Sequence, residues 1–454
     1  METEAIRPDG IQPTKETQLN LGKNPPAILQ FKDAHQKFER RNPENPELVE
    51  AFDQIFRAFN SELLTNSRIF ETADGQASFP YTSINITDFT KKIYKPDQTA
   101  QTATQNDKQV QSPRDEKYFI VGSHLILKDG QFTYVEIALH EFMKRLPAIL
   151  KDLENGRVPN EAEIIITGAP TSMYGHTTPK FVQEVQSGPT QTYAKMYEQF
   201  VETKLPQNTT NRKRAHITIH GYSMGASWSA RIAEIMADKN DPSTPKPLVI
   251  MDAPAGLHKK RLWPLTPNRL KAGFGVDALI ALATKSDVRH FILNEGKYWE
   301  SLTPYLVENN GYQVNLDPEQ TKLKKQIIAA TVGELQEGIP VENDKIRAVV
   351  RWGKQDLSMI TLPYLRDVIK RNTHLKRSKY KVVRKDEEVE VDPSKSSIVK
   401  NQLPTYKPRT FAIKSPHVYP FFRRNELRRW QNTTKIVQDL IRQGKIELPQ
   451  SIVA

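Results

Sequence analysis

No cysteine occurs anywhere in the 454 residues. That excludes disulfides, thiolate metal sites and cysteine nucleophiles. Long apolar runs are missing too. The longest candidate, Ala278-Leu279-Ile280-Ala281-Leu282-Ala283, falls far short of the roughly 18 residues that a membrane-spanning helix needs. Met1-Glu2-Thr3-Glu4 is polar and acidic and opens no apolar signal core. Apolar side chains make up only 37% of the chain and the mean hydropathy is −0.60, so part of the length is expected to stay loop. Neither H-E-x-x-H, a Walker phosphate loop nor G-x-G-x-x-G is present. No metal and no organic cofactor is expected. An uncrosslinked, soluble chain in the cytoplasm is the simplest expectation.

Acidic residues are outnumbered, 53 against 65 basic ones, for a formal net charge of +12. The basic groups are scattered: Arg212-Lys213-Arg214, Lys259-Lys260-Arg261, the stretch 376–385, and Arg423-Arg424 with Arg428-Arg429. No nucleic-acid motif accompanies them. They read as solvated faces, so neither nucleic acid nor integral membrane association is expected. The composition does not set the oligomeric state.

At this length the chain can bury a large core. Residues 1–25 are rich in Pro, Thr and Gln and read as disordered, and 28–64 as helical around Phe31, Phe38, Leu48, Phe52, Ile55, Phe56 and Phe59, interrupted near Asn42-Pro43 and Asn45-Pro46. Together 1–65 form an N-terminal extension to a domain over 66–454. Asp74-Gly75 between two apolar runs signals a hairpin. Residues 95–116 are nearly free of apolar side chains and read as a flexible insertion. From Tyr118 strand and helix patterns alternate. Strands are read at 118–122, 163–167, 216–220, 248–252, 346–352 and 410–413, with helices at 135–153, around 193–200, and at 425–442. Pro147 marks a kink or break in the first of these helices. Alternating β and α implies a mostly parallel central sheet with helices on both faces. Two long segments interrupt the alternation: 258–345, helical in character, and 372–409, which switches from basic to acidic as a charged hairpin or a solvated loop.

The most specific stretch is Gly221-Tyr222-Ser223-Met224-Gly225. A strand pattern precedes it, and a helix pattern with Trp228, Ile232, Ile235 and Met236 follows. Strand, G-x-S-x-G, helix describes a nucleophile elbow, in which two glycines permit the tight turn and the serine stands at its tip. Ser223 is therefore the expected nucleophile, and the N–H of Met224, at the helix start, one donor to a developing oxyanion. The acid expected to orient a base is Asp356, on the loop after the strand ending at Trp352; Asp252, also at a strand end, is its rival. The expected base is His417, on the loop before the closing helix. His216 and His220 fall on one face of the elbow strand, where packing or hydrogen bonding beneath the site suits them better than metal binding.

The chain order Ser223, Asp356, His417 resembles the α/β-hydrolase superfamily over roughly residues 66–454. The strand at 163–167 and the loop Gly168 to His176 are loosely similar to the family's strand and loop preceding the elbow. The resemblance implies the α/β-hydrolase fold, a helical lid at 258–345, and hydrolysis of a small-molecule acyl compound, by default a carboxylic ester, through an acyl-enzyme. Peptidase, thioesterase, amidase and acyltransferase chemistry stay open, as does a non-catalytic binding or scaffold protein on the same fold. Two departures stand out. Gly122-Ser123-His124 replaces the His-Gly pair that usually gives the second oxyanion donor, so the Ser123 N–H is the candidate there. The spacing from Asp356 to His417 is also longer than usual, consistent with the 372–409 insertion.

Overall fold

The structure, a computed structural model, describes residues 15–18, 38–95, 115–121, 135–172, 174–222, 224–239, 241, 244–252, 318–337, 346–353, 380–384, 387–391, 409–413 and 424–449. Its strands are β1 (Lys15–Gln18), β2 (Arg68–Glu71), β3 (Ala77–Asn85), β4 (Asp115–Val121), β5 (Glu161–Thr167), β6 (His176–Thr177), β7 (His216–Tyr222), β8 (Leu248–Asp252), β9 (Arg347–Gly353), β10 (Tyr380–Arg384), β11 (Glu387–Val391) and β12 (Arg409–Ile413). Its helices are α1 (Pro46–Thr65), α2 (Ile86–Ile93), α3 (Val135–Glu154), α4 (Pro179–Ser187), α5 (Pro189–Lys204), α6 (Thr209–Arg214), α7 (Met224–Asp238), α8 (Pro318–Glu337) and α9 (Arg424–Arg442).

One sheet joins all the strands in the order β1-β2-β3-β5-β4-β7-β8-β9-β12-β10-β11, with β6 on β3. Every neighbouring pair from β5 through β4, β7, β8, β9 and β12 to β10 is parallel. The pairs formed by β1, β2, β3, β6 and β11 are antiparallel. Strand alternation splits the core in two. Tyr118, Ile120, Ile164 and Ile166 face α1, α2, α3 and α9. Phe119, Val121, Ile165, Ile217 and Ile219 face α4, α5, α7 and α8. This is the mostly parallel sheet with helices on both faces that the alternation implied.

Two readings change at the local level and two become more specific. The polar stretch at 15–18 is a strand, because β2 offers it an edge. There Glu16 accepts from the Tyr81 hydroxyl at 2.8 Å and from Lys204 Nζ at 2.6 Å. The stretch read as insertion ends earlier, since Asp115 and Glu116 already pair with Glu161 and Ala162. The basic-to-acidic switch is a hairpin in which Lys381 faces Glu390 and Arg384 faces Glu387. Finally, α1 lines the first core with nine buried residues; Phe52 stacks on Phe38 at 4.0 Å and on Trp430 at 5.7 Å between ring centres. Of the segment read as a lid, the described part is α8, whose Leu323 and Ile327 are buried with α4, α5 and α7. Phe31 lies outside the described residues.

Pro147 lies inside α3, which runs unbroken from Val135 to Glu154. A proline has no N–H for the carbonyl four residues back, here that of Met143. The buried Thr433 hydroxyl of α9 donates to that carbonyl at 2.8 Å. Thr433→Val is expected to cost about 1–3 kcal/mol of stability, the range for an orphaned buried acceptor. In a Pro147→Ala background, where the helix supplies its own N–H, the same substitution should cost only a few tenths. Denaturant unfolding of the four proteins checks this; an equal cost in both backgrounds would show that the hydroxyl does not replace the missing donor.

Lys324 of α8 is 4% exposed. Its ammonium donates to the carbonyls of Ser172 at 2.9 Å and Gly175 at 2.8 Å, which fastens α8 to the loop after β5. Burial lowers its pKa from 10.5 to about 8. Between pH 8 and 10.5 the unfolded chain keeps a proton that the folded one sheds, so stability rises with pH across that window. Wild type should therefore gain up to about 3 kcal/mol over Lys324→Met between pH 7.5 and 10.5. Parallel stability curves for the two proteins would refute the assignment.

Candidate active site

The elbow sits where β7 ends and α7 begins. Tyr222 closes the strand and Met224, 9% exposed, opens the helix. Gly221 pairs with Val121 of β4 and Met251 of β8, which places the turn at the carboxyl end of the parallel strands, near the middle of the sheet. Gly221 has no room for a side chain: a Cβ there would lie inside van der Waals contact with the carbonyl group of Gly225 and with Ser229 Oγ. The Ser229 hydroxyl itself donates to Gly225 O at 2.8 Å. The first turn of α7 thus folds back against the last residues of β7. Completely buried Ala226, Ser227, Ser229 and Ala230 keep that approach close, and the Trp228 ring stacks on Tyr193 at 4.4 Å. A parallel sheet clad on both faces, with a glycine-tight strand-to-helix turn at its carboxyl edge, decides the architecture.

The fold is a mostly parallel α/β sheet with helices on both faces.

Within this sheet the described neighbour of the elbow is a polar trio that no motif announced. His220 lies in β7, three residues before position 223, and is 2% exposed; Asp252, the last residue of β8, is 1% exposed. His220 Nε2 is 2.7 Å from Asp252 Oδ2. Its Nδ1 is 2.8 Å from the hydroxyl oxygen of Tyr118 in β4. The Tyr118 ring lies edge-on to the imidazole at 5.9 Å and carries the Arg145 guanidinium 5.0 Å over its face. Arg145 in turn pairs with Glu116 and Glu141. Burial alone would raise the pKa of Glu141; the charges of Lys144 and Arg145 overcome it and hold that carboxyl down at about 2.

Ser223, Asp356, His417 and Ser123 lie outside the described residues. Met224 is where the elbow reading put it, at the first position of α7. Asp252, the rival acid, is committed to His220. His216 is exposed at the start of β7, while His220, four residues on, is buried and hydrogen-bonded. Same-face alternation foretold hydrogen bonding beneath the elbow; its partners Tyr118 and Asp252 come from strands whose adjacency only the sheet order reveals. Among the described residues no group of three His, Asp or Glu side chains is arranged to hold a metal ion, and no helix is long and apolar enough to cross a membrane.

No protein-family model matches the chain, and no curated protein matches it. Solved structures that the chain matches include an esterase from Pyrococcus furiosus, 10% identical with a TM-score of 0.33, the match covering 82% of this chain and 88% of that one. A thermophilic esterase from Thermogutta terrifontis, solved with malate bound, is 9% identical at a TM-score of 0.33, covering 81% and 95%. A hydrolase from Pseudomonas aeruginosa is 12% identical at 0.32, covering 82% and 98%.

Proposed function

We propose that the protein is a serine hydrolase that cleaves a carboxylic ester or similar acyl compound through an acyl-enzyme. One observation carries this reading: the turn from Gly221 to Gly225 is too tight for a side chain at 221 and stands at the carboxyl end of β7. A strand that closes at Tyr222 and a helix that opens at Met224 support the reading of Ser223 as the nucleophile of an elbow, whose serine stands at the tip of such a turn. In this mechanism Ser223 attacks the carbonyl carbon while His417 takes its proton. Asp356 orients the imidazole and stabilises the imidazolium. The N–H of Met224, at the amino end of α7, and that of Ser123 receive the oxyanion. His417 then protonates the leaving alkoxide, and water activated by the same imidazole releases the acid. The lid at 258–345, the cytoplasmic location and the small-molecule acyl substrate belong to the same proposal.

The test is hydrolysis of p-nitrophenyl esters of increasing acyl length by the full chain, with fluorophosphonate labelling of Ser223 read by mass spectrometry. Turnover with labelling at 223 supports the reading, and the chain-length profile sizes the acyl pocket. Neither turnover nor labelling would overturn it in favour of a binding or scaffold protein, since a fold alone specifies no chemistry.

A further inference from the structure

We propose that Tyr118, His220 and Asp252 form a positioning unit for the elbow, locking the ends of β7 and β8 together so that Ser223 stands at its reactive height. The inference rests on the hydrolase reading above and extends it to residues outside the catalytic triad.

The three side chains come from β4, β7 and β8, consecutive neighbours in the sheet, and project from one face of it. Around them that face carries Ile120, Ile164 and Ile166, with the Arg145–Glu116–Glu141 cluster beyond Tyr118. A buried ionisable pair in such surroundings is a poor source of stability, because removing both groups from water offsets their attraction. What it supplies is a fixed geometry. The register partner of Asp252 is Tyr222, two residues beyond His220, so the 2.7 Å bond from His220 Nε2 to Asp252 runs diagonally toward the turn. It ties the last residue of β8 to the strand that ends one residue before Ser223. A nucleophile displaced by about 1 Å loses on the order of a hundredfold in rate.

Tyr118 sets the state of the pair. One assignment serves both ring nitrogens: the Tyr118 O–H donates to Nδ1, and Nε2–H donates to the Asp252 carboxylate. The ring is then held in one orientation by a partner at each nitrogen. Arg145, held by Glu116 and Glu141, lies over the Tyr118 ring and packs it in place. Loss of the hydroxyl removes one of the two bonds that hold the imidazole in line with Asp252.

Two variants of the full chain test this with the p-nitrophenyl ester that wild type cleaves fastest and with the rate of fluorophosphonate labelling. The double replacement His220→Leu with Asp252→Leu is expected to keep its melting temperature within about 5 °C of wild type. Its kcat and labelling rate should fall about a hundredfold, with KM changed less than about twofold. Tyr118→Phe, which removes one oxygen atom and decides the matter should the double variant not fold, is expected to lower kcat and the labelling rate about tenfold with KM changed less than about twofold. Wild-type rates in the folded double variant or in Tyr118→Phe would overturn the proposal while leaving the hydrolase reading intact. A wild type that neither turns over nor labels removes the reading of the site, and this proposal with it.

Discussion

Alanine at position 223 will leave a folded protein with at least about ten-thousandfold less ester turnover, the scale on which loss of a triad nucleophile acts. The oxyanion donors and binding contacts survive that substitution, so a residual rate above the uncatalysed one is expected. Fluorophosphonate labelling should vanish altogether, because it needs the nucleophile itself. The effect is also expected to be non-additive. His417→Ala should cost about as much as Ser223→Ala, and the double variant no more than either. Asp356→Asn should cost roughly two orders of magnitude less than the other two, since it orients rather than reacts. Melting temperatures within a degree or two of wild type would separate these losses from unfolding. Full turnover by Ser223→Ala would place the nucleophile elsewhere.

Gly221→Ala is expected to be the most destabilising single methyl group among the described residues, costing about 4 kcal/mol or more, or on the order of 10 °C in melting temperature. The added Cβ meets the backbone of Gly225 and the buried Ser229 Oγ. Neither can swing aside as a flexible side-chain tip would, so β7 and α7 must part. Activity should be lost with the fold. Gly156→Ala makes the matched control. Gly156 has φ +64° with nothing within 4 Å of a Cβ, so its substitution carries only the left-handed backbone cost of about 1–2 kcal/mol. If the two variants melt together, the turn is looser than the close approach at Gly221 demands.

The parallel strands were legible because each is a short apolar run bounded by turn residues; 163–167, 216–220 and 248–252 fall within β5, β7 and β8. The closing helix was legible for the same reason and from its stop signal: Gly444 has φ +71° and donates its N–H to Ile441 O. What escaped reading depends on partners distant in the chain. Residues 15–18 carry no apolar pattern, and their strand exists through β2 and the Glu16–Lys204–Tyr81 cluster. The continuity of α3 through Pro147 requires a hydroxyl 290 positions from the carbonyl it serves. His220 was recognisable as a residue beneath the elbow, but its bond to Tyr118 spans 102 positions and its bond to Asp252 spans 32, and only the order β4-β7-β8 brings the three together. At the site itself the elbow was legible from local spacing, because two glycines around a serine are a local steric requirement.

The contact of α9 and the residues after it with α1, α2 and the residues before α1 bears on how the chain is made. Phe52 stacks on Trp430, Gln431 donates to Asn42 at 2.8 Å, and the N–H of Glu447 reaches the carbonyl of Ile93. During synthesis the ribosome exposes the apolar face of α1 hundreds of residues before its partner helix emerges, at roughly 5–20 residues per second. For much of that time Phe38, Phe52 and Phe56 lack their final cover. A nascent chain stalled short of residue 424 would present them to chaperones as an unfinished surface, so this core closes only after α9 has been made.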